Sequence, residues 1–230
     1  MYGENRKMVE LLHMGAKIND NELKFAALAV DAVCLRVNNG ELEALLGKVI
    51  SQSKYQGHWA HVGGLIKVDE TAEEAVDRLL RDKAGIKEIY KEQLYTFSEI
   101  DRDPRGRVVA VAYIALTDNS DIQDKTISGV ETKWVPVRGL KGLAYDHDTI
   151  TKVAVERLRS KIIYTDIARY LMPKEFTLSD LQKVYEAVSG EAIDKRNFRK
   201  RLLSLGTLRD TKRTMKRGVM RPASLYTFKS

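Results

Sequence analysis

The segment GLIKVDETAEEAVDRLLRDKAGI (residues 64–86) combines a loop led by glycine with a clearly bounded helix. Thr71 is followed three residues later by Glu74, which is the pattern of a capping box at the start of a helix. Apolar side chains recur at helical spacing after it and predict one buried face: Ala75, Val76, Leu79 and Leu80. We therefore predict a helix over 71–84 that packs against a core.

The same segment resembles the Nudix box, whose pattern is G, five residues, E, seven residues, then R-E-U-x-E-E-x-G-U, where U is aliphatic. Six positions match this pattern: Gly64, Glu70, Arg78, Leu80, Gly85 and Ile86. In that family the acidic residues of the helix bind Mg²⁺, which neutralises a pyrophosphate and activates water. The resemblance implies an α/β fold, a Nudix α/β/α sandwich with a mixed sheet.

The departures from this pattern fall on the catalytic machinery. Leu79, Asp82 and Lys83 stand where the motif has three carboxylates. Leucine offers no metal ligand, and an ammonium group repels a divalent cation. We therefore predict that the domain is not an enzyme, and we assign no catalytic and no metal-binding residue. A working hydrolase of a nucleoside diphosphate derivative remains the alternative.

Apolar and β-branched runs before and after this segment predict the strands of a sandwich: residues 25–37, 41–49, 107–116 and 132–137. Asn38, Asn39 and Gly40 form a turn signal between the first two strands. A further helix is expected up to Ile162, capped by Asp148. Its inward residues should be Ile150, Val153, Ala154 and Leu158.

The C-terminal quarter has the element order of a small winged helix-turn-helix domain. A helix over 177–188 should end at Gly190, and Asp194 should cap a second helix that runs to Leu203. After a turn at Gly206 come two β-like segments, 207–213 and 224–228, around a basic loop. We therefore divide the chain into a weakly amphipathic helical lead-in (1–24), a sensor domain (25–170) and a DNA-binding domain (171–230).

The positive charge of the chain is concentrated in this last domain. The net charge is +7, yet residues 174–230 contain 14 Lys and Arg against 6 Asp and Glu, and residues from 194 onward contain 12 against 2. A basic module joined to a nearly neutral one indicates a polyanion as its partner. A merely solvated cationic surface is the other interpretation, but the position of these charges on a helix and a wing favours nucleic acid.

The second helix of this module suits the major groove of double-stranded DNA, with Arg and Asn at base edges and Lys at phosphates. Phe198, Leu202 and Leu205 should face the core. The predicted DNA-binding residues of the helix are Lys195, Arg196, Asn197, Arg199 and Lys200. Those of the basic loop, which we expect to be flexible from residue 212 to 222, are Lys212, Arg213, Lys216, Arg217 and Arg221. RNA is a weaker alternative because the sequence shows no aromatic stacking platform.

Segments 92–97, 101–107, 134–137 and 145–148 resemble those of ADP-ribose-type Nudix domains and of the Nudix-related transcriptional regulators, the NrtR family, which includes relatives that respond to arabinose. Residues 176–188 and 197–201 resemble the winged helix of the same regulators. Planar guanidinium groups suit phosphate recognition. The predicted ligand-binding residues are Lys48, His61, Gly63, Gly64, Arg102, Asp103 and Arg105. His147 is expected to begin a helix rather than to act as a base.

These features together predict a ligand-responsive transcriptional regulator, a repressor that binds its operator as a homodimer. The resemblance allows ADP-ribose, a related NAD metabolite or a sugar such as arabinose as the effector, and it implies no further cofactor. No apolar stretch has the length of a membrane span, and the single cysteine, Cys34, cannot form an internal disulfide. We therefore expect a cytoplasmic protein without a membrane partner.

Overall fold

The computed structural model describes residues 25–118, 124–216 and 222–229. The predicted helical lead-in over 1–24 lies outside these residues. Eight strands form the first sheet: β1 (Ala27–Asn38), β2 (Glu41–Lys48), β3 (Trp59–Ala60), β4 (Val62–Leu65), β5 (Tyr90–Phe97), β6 (Val108–Leu116), β7 (Lys125–Ile127) and β8 (Val130–Pro136). Two helices accompany it, α1 (Ala72–Ala84) and α2 (His147–Tyr164).

The main path of the sheet runs β5-β6-β1-β2-β8-β7, with β3 paired to β2 and β4 paired to β1. The pair β1–β6 is parallel and the other pairs are antiparallel, so the predicted mixed sheet is confirmed. Strand β1 is apolar along most of its length because both of its faces are covered. Val33 and Leu35 lie in the core with α2, whereas Ala32 and Cys34 lie in the core with α1.

Helix α1 has the ends that the sequence predicts. The Thr71 side chain accepts a hydrogen bond from the Glu74 N–H at 3.2 Å, and the Glu74 carboxylate accepts one from the Thr71 N–H at 2.8 Å. Gly85 ends the helix with φ +60°, a conformation that favours glycine. The predicted inward residues of α1 are all buried.

The prediction that Asp148 caps α2 is wrong. The helix begins at His147, and Asp146 occupies the position before it. The Asp148 carboxylate instead accepts hydrogen bonds from the N–H groups of Gly142 at 2.9 Å and Leu143 at 3.0 Å. A residue in the first turn can thus fold its side chain back onto the preceding loop. Among the described residues, no helix is both long and apolar enough to span a membrane.

The C-terminal part has the predicted winged-helix order. A 3₁₀ helix (Ile167–Leu171) leads into β9 (Phe176–Thr177), α3 (Leu178–Ser189), α4 (Lys195–Ser204), β10 (Leu208–Met215) and β11 (Ala223–Phe228), with the sheet order β10-β11-β9. Thr177 and Asp180 form a capping box for α3, which ends at Gly190. The Asp194 side chain accepts from the Asn197 N–H at 2.8 Å, so the predicted cap of α4 is confirmed.

Two predictions about this part are wrong. Residues 214 and 215, which we expected only in the flexible loop, continue β10, because pairing with β11 extends to Met215 after an irregularity between Asp210 and Thr214. Leu205, which we expected in the core, is 55% exposed because it lies beyond the last turn of α4.

The two parts share one hydrophobic core. Ile150 and Leu158 of α2 belong to the same buried cluster as Leu181 of α3 and Phe198 of α4. Polar contacts reinforce this junction: Arg159 Nε donates to the Val188 carbonyl at 2.9 Å, and Arg201 Nη2 donates to the Ile163 carbonyl at 2.7 Å. A displacement of α2 therefore bears directly on both helices of the winged helix.

Candidate effector cavity and DNA-binding surface

All seven residues that the sequence predicted for ligand binding line one cavity of about 190 Å³. Lys48 ends β2, His61 lies between β3 and β4, and the two glycines lie on β4. Arg102, Asp103 and Arg105 come from the loop between β5 and β6. The sequence reasoning missed five polar residues of the same cavity: Asp31, Ser51, Lys83, Tyr145 and His147.

Arg102 is held inside the protein by two carboxylates. Its Nη2 lies 3.0 Å from Asp31 Oδ2 and 2.8 Å from Asp146 Oδ1, and its Nε lies 3.0 Å from Asp146 Oδ2. The side chain is only 3% exposed. These contacts join β1, the β5–β6 loop and the start of α2, so Arg102 organises the wall of the cavity.

Asp31 is the charged centre of this wall. Burial opposes its ionisation, but His147 and Arg102 stabilise the carboxylate and together lower its pKa to about 2. A lone acid in the apolar strand β1 was the signal that could have identified it, since buried charges require partners. Its carboxylate explains the neighbouring glycine: a Cβ at Gly63 would lie 2.2 Å from Asp31 Oδ1.

Two histidines continue the network. The His61 backbone N–H donates to His147 Nδ1 at 2.8 Å, so Nδ1 acts as an acceptor and the ring can carry a proton on Nε2, which lies 3.5 Å from Asp31 Oδ1. The Thr151 hydroxyl donates to the His147 carbonyl and accepts from His61 Nε2 at 2.7 Å. Burial and the neighbouring His147 lower the pKa of His61 to about 3.

Arg105 is the more accessible guanidinium of the predicted pair. It is 47% exposed and bonds to Asp103 through Nη2 at 2.6 Å and Nε at 2.9 Å. Its guanidinium carbon also lies 5.5 Å from the centre of the Tyr145 ring. Lys48, which also lines the cavity, pairs with Glu131 at 3.0 Å. Cations and an aromatic ring thus share one concave surface.

The helix α1 keeps the scaffold of the Nudix box. Arg78 forms a bidentate ion pair with Glu70, in which the Nε–Oε2 distance is 2.7 Å, and it also donates to the Leu65 carbonyl at 3.1 Å. These contacts hold the loop against the start of the helix. Gly64 lies close to the helix, since a Cβ there would be 3.0 Å from Leu79 Cδ2.

The three replaced positions of the box do not form a divalent metal site. Leu79 is 5% exposed and belongs to the core. Asp82 is exposed and lies 3.5 Å from its neighbour Arg81. Lys83 Nζ donates to the Gly63 carbonyl at 2.6 Å. Within residues 25–118, 124–216 and 222–229, no three His, Cys, Asp or Glu residues are arranged to hold a metal ion.

Helix α4 presents a basic surface. Phe198 and Leu202 are buried, so the opposite side of the helix faces outward. The five predicted DNA-binding residues of this helix are all exposed: Lys195, Arg196, Asn197, Arg199 and Lys200. Arg201 turns back to the sensor domain instead. The outward side of α4 thus presents four cationic side chains and the amide of Asn197.

The predicted residues of the wing have different surroundings. Arg213 forms an ion pair with Glu175, and Lys212 lies 3.6 Å from Asp210. Lys216 is exposed. Arg217 and Arg221 lie outside the described residues.

A loop-helix scaffold of the Nudix type, in a mixed-sheet sandwich joined to a winged helix with a basic face, defines a Nudix-related DNA-binding regulator. The family models agree with both parts: a NUDIX domain matches residues 27–157 and the NrtR DNA-binding winged helix domain matches residues 168–228. The chain belongs to the NrtR family of transcriptional regulators.

Similar proteins include regulators and an enzyme. The ADPR responsive transcriptional repressor NtrR of Acinetobacter baylyi is 35% identical over 207 residues, which cover 87% of this chain and 81% of that protein. The ADP-ribose pyrophosphatase of Methanocaldococcus jannaschii is 31% identical over 126 residues, which cover 55% of this chain and 71% of that protein.

Two solved structures of Shewanella oneidensis NrtR are also similar. The crystal structure of its complex with a 27mer DNA has a TM-score of 0.75 at 32% identity, covering 88% of this chain and 93% of that chain. The structure of its NUDIX domain with ADP ribose has a TM-score of 0.53 at 33% identity, covering 65% and 97%.

Proposed function

We propose that this protein is a transcriptional repressor that binds its operator as a homodimer in the cytoplasm and releases it when ADP-ribose occupies the effector cavity. One observation carries the proposal: all seven predicted ligand residues line one cavity, in a chain that also has a winged helix. The similar proteins from A. baylyi and S. oneidensis support ADP-ribose by what their names state.

The chemistry of the cavity favours ADP-ribose over a free pentose. Lys48, Lys83 and Arg105 supply positive charge, and Tyr145 supplies an aromatic surface. A diphosphate carries charge that these cations can pair with, and an adenine can stack on an aromatic ring. An uncharged sugar would use neither feature.

We infer that the domain binds its ligand without hydrolysing it, because Leu79 and Lys83 occupy positions where the Nudix box requires carboxylates. The alternative, an active hydrolase, is favoured by the identity with the M. jannaschii pyrophosphatase and by the retained pair Glu70–Arg78. A turnover assay with Mg²⁺ and Mn²⁺ distinguishes the two.

Helix α2 offers a direct route from the cavity to the DNA-binding helix. Its first residue, His147, lines the cavity, and the Ile163 carbonyl near its last turn accepts the hydrogen bond from Arg201 of α4. Eighteen helical residues span about 27 Å as a stiff rod. A ligand that shifts the start of α2 would change the position of α4. The two α4 helices of a dimer must lie about 34–36 Å apart, or a multiple of that, to read one operator.

The test is a reciprocal binding experiment. Operator affinity is measured by fluorescence anisotropy with and without saturating ADP-ribose, and ADP-ribose affinity by calorimetry with and without operator. Coupling requires the same factor in both directions, about 5- to 150-fold for typical coupling energies. Arg105→Ala should weaken release while leaving the operator affinity of the free protein unchanged. Equal affinities in both directions, for a ligand that demonstrably binds, would contradict the proposal.

A further inference from the structure

Lys83 is a cation that lines the effector cavity at a position where the Nudix pattern has a carboxylate. It stands where the box has a metal-binding carboxylate, yet its side chain reaches into the cavity, and Nζ bonds to the Gly63 carbonyl at 2.6 Å. An ammonium group has three N–H donors, and this contact uses one of them. The Gly63 carbonyl therefore fixes the position of a charge that keeps donors for a ligand.

The charges around Lys83 favour the binding of an anion. Burial lowers the pKa of Lys83, Asp31 acts in the opposite direction, and the nearby Arg78 and Arg105 lower it further. Asp31 is already paired with Arg102, and Arg78 with Glu70. A phosphate oxygen beside Lys83 and Arg105 would relieve the repulsion between these two cations and offset the cost of burying the ammonium.

We propose that Lys83 replaces the divalent metal of the Nudix fold as the cation that binds the diphosphate of the ligand, so that effector binding needs no metal ion. This inference rests on the proposed ADP-ribose function. It also accounts for the poor fit of the α1 side chains to Mg²⁺, because a fixed ammonium and a divalent ion would compete for the same region of the cavity.

The experiment uses the full chain and calorimetric titration with ADP-ribose, once in excess EDTA and once with Mg²⁺. We expect equal affinity in the two buffers. Lys83→Met should weaken binding by about 10- to 100-fold, as expected for the loss of a charge-assisted hydrogen bond. The matched control is Lys87→Met, which removes the same charge from an exposed position just after α1 and should bind normally.

Two further measurements separate a charge effect from a folding effect. Circular dichroism and operator binding should be retained in Lys83→Met, and Lys83→Arg, which keeps a cation, should bind more tightly than Lys83→Met. Adenosine, which lacks phosphate, should bind equally to the wild type and to Lys83→Met. A variant series in which Lys83→Met binds ADP-ribose like the wild type would overturn the inference.

The metal comparison distinguishes this inference from the proposed function. Binding of ADP-ribose that disappears in EDTA would leave the proposed function standing and overturn the role of Lys83. Absence of ADP-ribose binding by the folded wild type in both buffers would overturn the proposed function, and the inference with it.

Discussion

Replacing Arg102 by Met should destabilise the sensor domain, even though the sequence presents Arg102 as a ligand residue. The guanidinium makes three hydrogen bonds of 2.8–3.0 Å to Asp31 and Asp146. Methionine keeps the apolar part of the side chain and removes all three bonds. The two carboxylates then lose this cationic partner while remaining largely buried.

The expected magnitude follows from the burial of the pair. Removing one partner of a buried ion pair costs about 3–5 kcal/mol, because an uncompensated charge is left behind. Whole domains are stable by only about 5–15 kcal/mol. In a chain of this size, about 1 kcal/mol shifts Tm by about 2–4 °C, so Arg102→Met should lower Tm by about 6–20 °C.

Arg105→Met is the matched control in the same loop. Arg105 is 47% exposed, so water can take the place of its guanidinium, and the buried Asp103 carboxylate keeps the hydrogen bond from the Arg105 backbone N–H at 3.0 Å. The loss should therefore be smaller than that of Arg102→Met. Urea denaturation and thermal unfolding of the two variants and the wild type measure the difference. Equal, small losses of unfolding free energy in both variants would refute the assignment of Arg102 as an organising residue. Arg102 would then again be interpreted as a ligand-binding residue.

Three other predictions follow from the structure. The pKa of His61 is about 3 in the folded protein against an ordinary 6.5, so the unfolded chain takes up a proton first as the pH falls. The free energy of unfolding should therefore be highest above about pH 6.5 and decrease by about 3 kcal/mol by pH 4. His61→Gln should reduce this pH dependence in urea titrations. Because Leu79 and Lys83 occupy metal-ligand positions, turnover of ADP-ribose to AMP and ribose 5-phosphate with Mg²⁺ or Mn²⁺ should stay well below roughly 1 s⁻¹ when AMP release is measured. Sustained turnover at that rate would restore the hydrolase interpretation. Arg196→Ala should cost about 1–3 kcal/mol and relax one operator position in gel shifts, whereas Lys216→Ala should weaken all sequences alike; equal losses on every sequence for both variants would exclude base reading by Arg196.

Local signals in the sequence were enough for the elements that are stabilised locally. The capping box at Thr71 lies within four residues, and α1 begins one residue after the predicted start and ends at the predicted Ala84. The pairing of Thr214 and Met215 depends on β11, which lies later in the chain, so the local basic composition alone could not predict that β10 extends beyond residue 213. Asp148 satisfied the local pattern of a cap, but its donors came from the preceding loop.

The cavity could be predicted only in part, because its wall is assembled from distant segments. Asp31, Arg102 and His147 come together from β1, the β5–β6 loop and α2, and no pattern of spacing connects them. The resemblance supplied Arg102 and Arg105, but it could not tell that one is buried between two carboxylates and that the other is accessible. That distinction requires the sheet register and the docking of α2.

The combination of a retained scaffold with replaced metal ligands has a consequence for signalling in the proposed regulator. In a site that only binds, the occupied fraction depends on the ligand concentration relative to Kd. In a site that also hydrolyses, occupancy depends on the rate of turnover as well, and the protein consumes the molecule that it measures. In the proposals above, Lys83 in the place of a carboxylate removes a ligand of the metal that turnover needs and supplies a charge that binding needs. In these proposals one replacement both prevents hydrolysis and favours ligand binding, as a sensor requires. Glu70 and Arg78 continue to hold the loop that shapes the cavity.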